Sequence, residues 1–402
     1  NDYVTSTPGT MTTTHTLSAL EQGTVTVTGT PLDDTKGAKP IQFTVTVTQP
    51  DAVEDLDFDR YVTGNIRHAL SYLDRQLEGN YTYGAEWSLF TLLRAGASLS
   101  QSDLDSYYAS ITRQLESGGR MLPTDYFRVV VALLAMGEDP TDVAGMNLIE
   151  TLYNYPNLDR MTSNMMSYTL LALDTKDYEV PQDARWTRET LIEKLLTFQN
   201  ANGGFGLSSA DTVSVDVTAM TLQALAPYRD MEQVGLAFDR ALEYLRSQMT
   251  SDCGYINEGD DNGCTAAQVL TALAVAGIDP LDPDNGFTHG NYNLVTKLDQ
   301  FKRESGFTTF MSSDQPDGMG TAQIGYALEA YRRFVAGENT LFDLTQWTPA
   351  PPSQGGDSGE EDPQVPQTGD ASPLVESLVI LGMSAAGLCA AVWTDRKRKS
   401  RG

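Results

Sequence analysis

The 402-residue sequence predicts a mainly α-helical protein in which six helix hairpins close into a double ring, and two observations predict this fold. Pairs of a small residue and Leu recur six times between residues 51 and 347, at intervals of 40 to 55 residues. Each pair falls late in an apolar helical stretch that follows an amphipathic one. Such spacings are typical of repeated supersecondary units. The marker leucines are Leu92, Leu133, Leu173, Leu225, Leu273 and Leu328.

The repeats also indicate where the apolar helices end. Val131–Pro140 and Thr271–Pro280 share Ala-Leu, Gly and Asp-Pro in the same register. Gly favours the left-handed turn that ends a helix, and Pro cannot continue one. The pattern predicts apolar helices over Tyr126–Met136, Val217–Leu225 and Ala266–Ala276.

An amphipathic helix is predicted before each apolar one, for example over Thr187–Gln199 and Val234–Gln248. Their apolar residues recur at helical spacing and leave a charged face for solvent. Six such pairs bury every apolar helix if they close into a ring. An open solenoid is the alternative, but neither terminal unit carries the polar cap that an open stack needs.

A second signature lies in the loops, where Gln199 is followed by Gly203-Gly and then Phe205. The Gln ends an outer helix, the Gly permits a left-handed turn, and the aromatic ring packs the corner. Weaker copies are Gln114 to Gly118, Gln248 to Gly254-Tyr255, and Gln300 to Gly306-Phe307.

This loop signature resembles the QW-type repeat of the terpenoid cyclases and the protein prenyltransferase β subunits, which form an (α/α)6 toroid. The resemblance extends over Asp59–Phe342. It is nearest to a branch found in exported bacterial surface proteins, on the strength of Thr218–Tyr228 and Ala267–Pro280. The cobalamin carriers intrinsic factor and transcobalamin use a similar toroid.

The resemblance implies two possible activities, and the residues for each are incomplete. Cyclases protonate an alkene with Asp-x-Asp-Asp, which is absent; the acids of Asp55–Asp59 are expected to lie at a helix N-terminus. Prenyltransferases hold zinc through Asp, Cys and His. At the matching positions this chain has Asn262, Cys264 and, in place of the His, Thr321. We therefore expect no catalytic residues, no metal and no cofactor.

Other chemistry is also unsupported by the sequence. The chain has no Gly-x-Ser-x-Gly elbow and no phosphate loop. Toroids of the complement type need Cys-Gly-Glu-Gln for an internal thioester, whereas Cys264 and Gln268 have one residue too many between them. The three histidines, His15, His68 and His289, lie away from the zinc positions.

What remains is a cavity at the mouth of the ring where the inner helices begin. Aromatic rings with convergent amides and acids suit a glycan, a corrinoid-like small molecule or a protein partner. The alternative is that these side chains only pair with one another and cap their helices. The candidate ligand-binding residues are Trp87, Asp125, Tyr126, Arg128, Asn164, Tyr168, Asp216, Gln268, Gln323 and Tyr326.

Cys253 and Cys264 flank a loop that contains Glu258, Asp260 and Asp261. Outside the cytoplasm the two cysteines could form a disulfide, or they could remain separate buried thiols. The acids lack EF-hand spacing and are interpreted as a solvated loop rather than a calcium site.

The first 50 residues contain two strictly alternating segments, Thr24–Thr28 and Phe43–Thr48, which are predicted to be β-strands. Two strands do not make a stable domain alone. They resemble the last strands of an immunoglobulin-like sandwich, whose remainder we expect upstream of Asn1.

The C-terminal region after the toroid (51–347) predicts an anchor. Residues 348–373 form a Pro/Gly/acid-rich stalk, 374–393 an apolar stretch long enough to span a membrane, and 394–402 a basic tail expected in the cytoplasm.

The stalk contains Val365-Pro366-Gln367-Thr368-Gly369. This arrangement resembles the LPxTG cell-wall sorting signal of Gram-positive bacteria, although Val365 replaces the usual Leu. The resemblance implies that a sortase links Thr368 to peptidoglycan. An ordinary single-pass membrane protein is the alternative.

Charge limits the partners further. Asp and Glu total 54 against 27 Lys and Arg, a net charge of −27, and such a surface repels nucleic acid and anionic lipid. We therefore expect a cell-wall-anchored surface protein whose non-catalytic toroid binds an extracellular ligand or partner. An enzyme of the cyclase or prenyltransferase type and a structural spacer are the alternatives.

Overall fold

The structure is a computed structural model, and it describes residues 23–29, 41–47 and 56–353. The chain divides into two compact units, Asn1–Ala52 and Val53–Gly402. The predicted stalk beyond residue 353, the sorting motif at 365–369, the span at 374–393 and the basic tail lie outside the described residues. Among those that are described, no helix is both long enough and apolar enough to cross a membrane.

In the first unit, strands β1 (Gly23–Gly29) and β2 (Ile41–Val47) pair antiparallel. Val25 lies opposite Val45, as the alternation of Thr and Val in both segments predicts. The two predicted strands are confirmed. The hairpin by itself does not establish an immunoglobulin-like sandwich.

The second unit contains twelve α-helices within residues 56–353. In chain order they are α1 (Gly64–Leu77), α2 (Glu86–Arg94), α3 (Gln101–Glu116), α4 (Pro123–Met136), α5 (Leu148–Tyr153), α6 (Ser163–Asp174), α7 (Arg188–Leu196), α8 (Val215–Leu225), α9 (Glu232–Gln248), α10 (Gly263–Val275), α11 (Leu294–Asp299) and α12 (Gly318–Ala336).

The even-numbered helices form the inner ring. Each packs against the next, from α2 through α12, and α12 packs back against α2. At that closing contact Thr91 Oγ1 donates to Ala322 O at 3.2 Å, and a Cβ atom added at Gly325 would lie 2.9 Å from Thr91 Cγ2. The ring is therefore closed, and the open solenoid is wrong.

The odd-numbered helices lie outside the ring, each preceding its inner partner in the chain. The predicted outer helices over Thr187–Gln199 and Val234–Gln248 are α7 and α9. All six marker leucines fall in inner helices and are almost fully buried. The repeat therefore predicts both the number of helix pairs and which member of each pair faces the core.

The loop signature has the predicted role at its strongest copy. Gln199 Nε2 donates to Gly203 O at 2.8 Å and to Ala237 O at 2.7 Å. Gly203 has a φ of 94°, and Phe205 is fully buried at the corner. A side chain at Gly203 would place its Cβ 2.2 Å from Arg240 O, so the turn requires glycine.

Three short hairpins complete the last two repeats. They pair β3 (Ile256–Asn257) with β4 (Asp260–Asp261), β5 (Thr288–His289) with β6 (Tyr292–Asn293), and β7 (Lys302–Arg303) with β8 (Gly306–Phe307).

A strap formed by residues 339–353 returns across the mouth where the inner helices end, which the sequence analysis did not anticipate. Arg94 holds it, donating to the carbonyl oxygens of Thr340, Leu341 and Asp343 at 2.8 to 2.9 Å. Phe342 inserts its ring into the core. The strap therefore closes one side of the ring.

Candidate functional site

The centre of the ring is packed with aromatic side chains. The rings of Phe127 and Tyr168 stack with centroids 4.7 Å apart, and Trp87 lies 5.4 Å from Tyr326 and 6.2 Å from Tyr168. From the opposite side, Phe342 stacks on Phe90 at 5.7 Å. Tyr168 and Tyr326 are buried, and burial raises the pKa of both hydroxyls. Of the aromatic residues proposed to contact a ligand, Trp87 contacts both Tyr168 and Tyr326.

Two of the candidate amides, Gln268 and Gln323, form a ladder with Gln223 across three inner helices. Gln223 Nε2 donates to Gln268 Oε1 at 2.9 Å, and Gln268 Nε2 donates to Gln323 Oε1 at 3.0 Å and to Tyr326 OH at 2.6 Å. Gln268 and Gln323 are both buried. The ladder satisfies polar groups inside the core, as buried side-chain networks must.

A charged cluster lies where α2 and α4 begin. Arg128 Nη2 donates to Asp125 Oδ1 at 2.6 Å, and its Nε lies 3.6 Å from Glu86 Oε2. Burial raises the pKa of the Glu86 carboxyl. Asp125 also accepts from Leu122 N at 2.8 Å, so its carboxylate caps α4.

Asp216 and Asn164 lie at the beginnings of α8 and α6 and are both buried. Asn257 Nδ2 donates to Asp216 Oδ2 at 3.0 Å, and burial raises the pKa of Asp216 to about 6. Asn164 Oδ1 is buried without a hydrogen-bond partner among the described residues. Tyr126 packs against Tyr155, with ring centroids 6.4 Å apart.

These contacts favour mutual pairing for most of the ten candidate residues. A different opening, the rim cleft, lies at the same mouth between the loops that lead into α4 and α6. It has a volume of about 520 Å³. Asp125 is the only one of the ten candidate residues that lines it. Its lining residues are Arg120, Leu122, Asp125, Arg160, Met161, Thr162, Met165 and Ser208.

Two positive charges dominate the rim cleft. Arg120 and Arg160 are exposed, and within residues 56–353 their side chains make no ion pair or hydrogen bond. The one acid in the wall, Asp125, forms an ion pair with Arg128. Thr162 and Ser208 add hydroxyl groups, while the remaining wall is apolar. The cleft can thus bind an anionic group beside an apolar surface.

Sequence reasoning missed both arginines because it took only residues on the inner helices. Arg120 follows a Gly-Gly turn, and Arg160 ends a short 3₁₀ helix (Leu158–Arg160) before α6, so neither lies on an inner helix. In a chain with twice as many acids as bases, an arginine in a loop at the mouth stands out.

The two loop cysteines are separate buried thiols, so the possible disulfide between Cys253 and Cys264 is not formed in this structure. Cys264 Sγ faces Thr309 Oγ1 at 3.5 Å, on the α10 side of the β3–β4 hairpin. Burial raises the pKa of the Cys253 thiol to about 11 and also raises that of Cys264. Neither thiol is activated as a nucleophile.

The positions compared with known enzyme sites have structural contacts. Asn262 caps α10, accepting from Thr265 N at 3.0 Å, and Thr321 Oγ1 accepts from Phe307 N at 2.9 Å. Asp57 Oδ1 accepts from Arg60 N at 3.0 Å, at a helix N-terminus as expected. Within the described ranges, no three His, Cys, Asp or Glu side chains cluster closely enough to share a metal ion.

The chain has neighbours among solved structures. No protein-family profile and no curated protein matches it. It is similar to protein geranylgeranyltransferase-I of Candida albicans, with 14% identity and a TM-score of 0.48 over 67% of this chain and 91% of that one. It is also similar to unsaturated glucuronyl hydrolase of Bacillus sp. GL1, with 10% identity and a TM-score of 0.49 over 70% and 99%. At these identities the likeness concerns the fold, which the helix contacts of this chain establish independently.

Proposed function

We propose that this chain is a surface-displayed, non-catalytic binding module that holds an acidic ligand in the rim cleft. The observation that carries the proposal is the pair of unpaired guanidinium groups, Arg120 and Arg160, in one cleft of a chain with a net charge of −27.

The chemistry of the cleft favours an acidic oligosaccharide. Guanidinium groups bind carboxylate or sulfate through paired, charge-assisted hydrogen bonds. The hydroxyl groups of Thr162 and Ser208 can bind sugar hydroxyls, and Met161 and Met165 offer apolar surface to the C–H face of a sugar ring. Because the chain carries a net charge of −27, its surface as a whole repels anions, and a local pair of arginines favours their binding in the cleft.

Display on a Gram-positive cell wall is the second part of the proposal, and it rests on the sequence. The stalk, the motif at 365–369, the apolar stretch and the basic tail occur in the order of a sorting signal. In this proposal a sortase joins Thr368 to peptidoglycan, and the stalk holds the toroid away from the wall. The partners are the sortase, peptidoglycan and the acidic ligand.

The test is binding of matched acidic and neutral oligosaccharides to the wild type and to an Arg120→Ala/Arg160→Ala variant. We expect the wild type to bind only acidic members, and the variant to bind at least about tenfold more weakly, because each charged hydrogen bond contributes about 1.5–3 kcal/mol. An Arg67→Ala/Arg185→Ala variant changes the net charge equally at exposed positions outside the cleft and is expected to bind like the wild type. Equal losses in both variants would contradict the site, and no binding at all would favour the structural spacer.

One observation favours an enzyme as the second candidate. Asp216 lies at the mouth where the inner helices begin, with a pKa raised to about 6 by burial, and perturbed carboxyl groups of this kind cluster at active sites. Turnover of a bound ligand that is lost in Asp216→Asn would establish this candidate. Binding without turnover would exclude it.

A further inference from the structure

Lys297 is a buried amine that the proposed function does not use. It lies on α11, and its side chain is only 1% exposed. Its Nζ contacts Asp252 Oδ2 at 2.7 Å, Asp261 Oδ2 more closely still, and Gln300 Oε1 at 3.3 Å. The ring of Phe301 covers it, with the centroid 5.8 Å away.

As a purely ionic cluster, this arrangement leaves one group unsatisfied. A buried ammonium group is stable only when it is well paired, and one carboxylate is sufficient to neutralise it. Here two carboxylates converge on a single cation. Asp261 Oδ1 is buried without a hydrogen-bond partner among the described residues. Burying a carboxylate oxygen without a hydrogen bond costs free energy, and a salt bridge to the amine does not account for that cost.

The backbone holds the amine and the carboxyl group together. Asp261 pairs with Ile256 in the β3–β4 hairpin, and its carbonyl oxygen accepts from Met311 N at 3.0 Å. Gly254 packs against both groups, since a Cβ atom added there would lie 2.6 Å from Lys297 Cε and 2.7 Å from Asp261 Oδ1. Two reactive groups fixed in contact by separate rigid elements have a high effective concentration.

We propose that Lys297 and Asp261 form an intramolecular amide bond. The neutral amine attacks Asp261 Cγ, a C–N bond forms, and the C–O bond to one carboxyl oxygen breaks, so that one water molecule leaves. Asp252 accepts a proton from the Lys297 ammonium group and returns it to the departing oxygen, and a second proton passes from the attacking nitrogen to the same oxygen, which leaves as water. No oxidant, metal or cofactor takes part. The product removes the charges of Lys297 and Asp261, and it ties the β3–β4 hairpin to α11.

The experiment is intact-mass measurement of the full chain, followed by peptide mapping. We expect a mass lower than that of the sequence by one water molecule, and a branched peptide that joins Lys297 to Asp261. Recovery of the full sequence mass, with trypsin cleaving normally after Lys297, would overturn the proposal. Because this measurement uses the wild type, it does not depend on whether a variant folds.

Two variants separate the amide from other dehydrations. Lys297→Arg keeps the positive charge but has no primary amine, so we expect the full mass; a cyclic imide at Asp261 would instead persist, and its persistence would overturn the proposal. Asp252→Asn keeps the shape of the side chain and removes the proton-transfer group. We expect it to accumulate the uncrosslinked form, and complete bond formation in this variant would contradict the role of Asp252.

Discussion

At the residue scale, the carboxyl group of Asp216 shows how burial changes the chemistry that a sequence pattern suggests. The side chain accepts a hydrogen bond from Asn257, yet burial dominates and raises its pKa to about 6. An unperturbed Asp titrates near 3.9. Between about pH 4 and pH 6 the native state therefore retains the Asp216 proton, which the unfolded chain has lost.

This difference predicts the pH dependence of stability. Over that interval the folded protein holds up to one more proton at Asp216 than the unfolded chain. The stability that Asp216 contributes is therefore fully present below about pH 4 and is lost as the pH rises through 6. Its total size is on the order of 2–3 kcal/mol. Asp216→Asn keeps an acceptor for Asn257 and removes the titration. Urea unfolding from pH 4 to pH 8 is expected to show a smaller decline for the variant, and parallel curves would contradict this account.

At the element scale, the strap covers one mouth of the ring, and the loop corners shape the turns between its helices. The corner at Gln199, Gly203 and Phe205 follows from a local sequence signature, because each residue type has one conformational or packing role there. The strap has no such signature. Arg94 finds its three carbonyl acceptors about 250 residues further along the chain, a long-range contact that no periodicity reveals.

The strap predicts a large loss of stability when its aromatic residue is removed. Phe342→Ala would leave a cavity beside Phe90 and Phe127, with an expected cost of about 3–5 kcal/mol in the free energy of unfolding. Leu236→Ala truncates an apolar side chain that is 63% exposed and is expected to cost less than about 0.5 kcal/mol. Chemical denaturation measures both. Equal costs would show that the strap does not stabilise the ring.

At the scale of the whole molecule, the sequence predicts the ring well and the site poorly. Six marker leucines identify the six inner helices because burial of a helix leaves a periodic record in the chain. Arg120 and Arg160 lie forty residues apart in separate loops and share no motif. Only the packing of the adjacent helices α4 and α6 brings them together. Likewise, the polar groups at the beginnings of the inner helices are visible in the sequence, but their pairing with one another is not.

The central claim is that the ligand binds at the rim and not inside the ring. Hydrogen–deuterium exchange, with and without the tightest-binding acidic oligosaccharide, tests it most directly. We expect slower exchange in residues 119–125, 160–165 and 206–212, which contain the cleft wall, and no change in the inner half of α2, α10 or α12. Protection confined to those three helices, with the loops unaffected, would contradict the account and place the ligand in the centre of the ring.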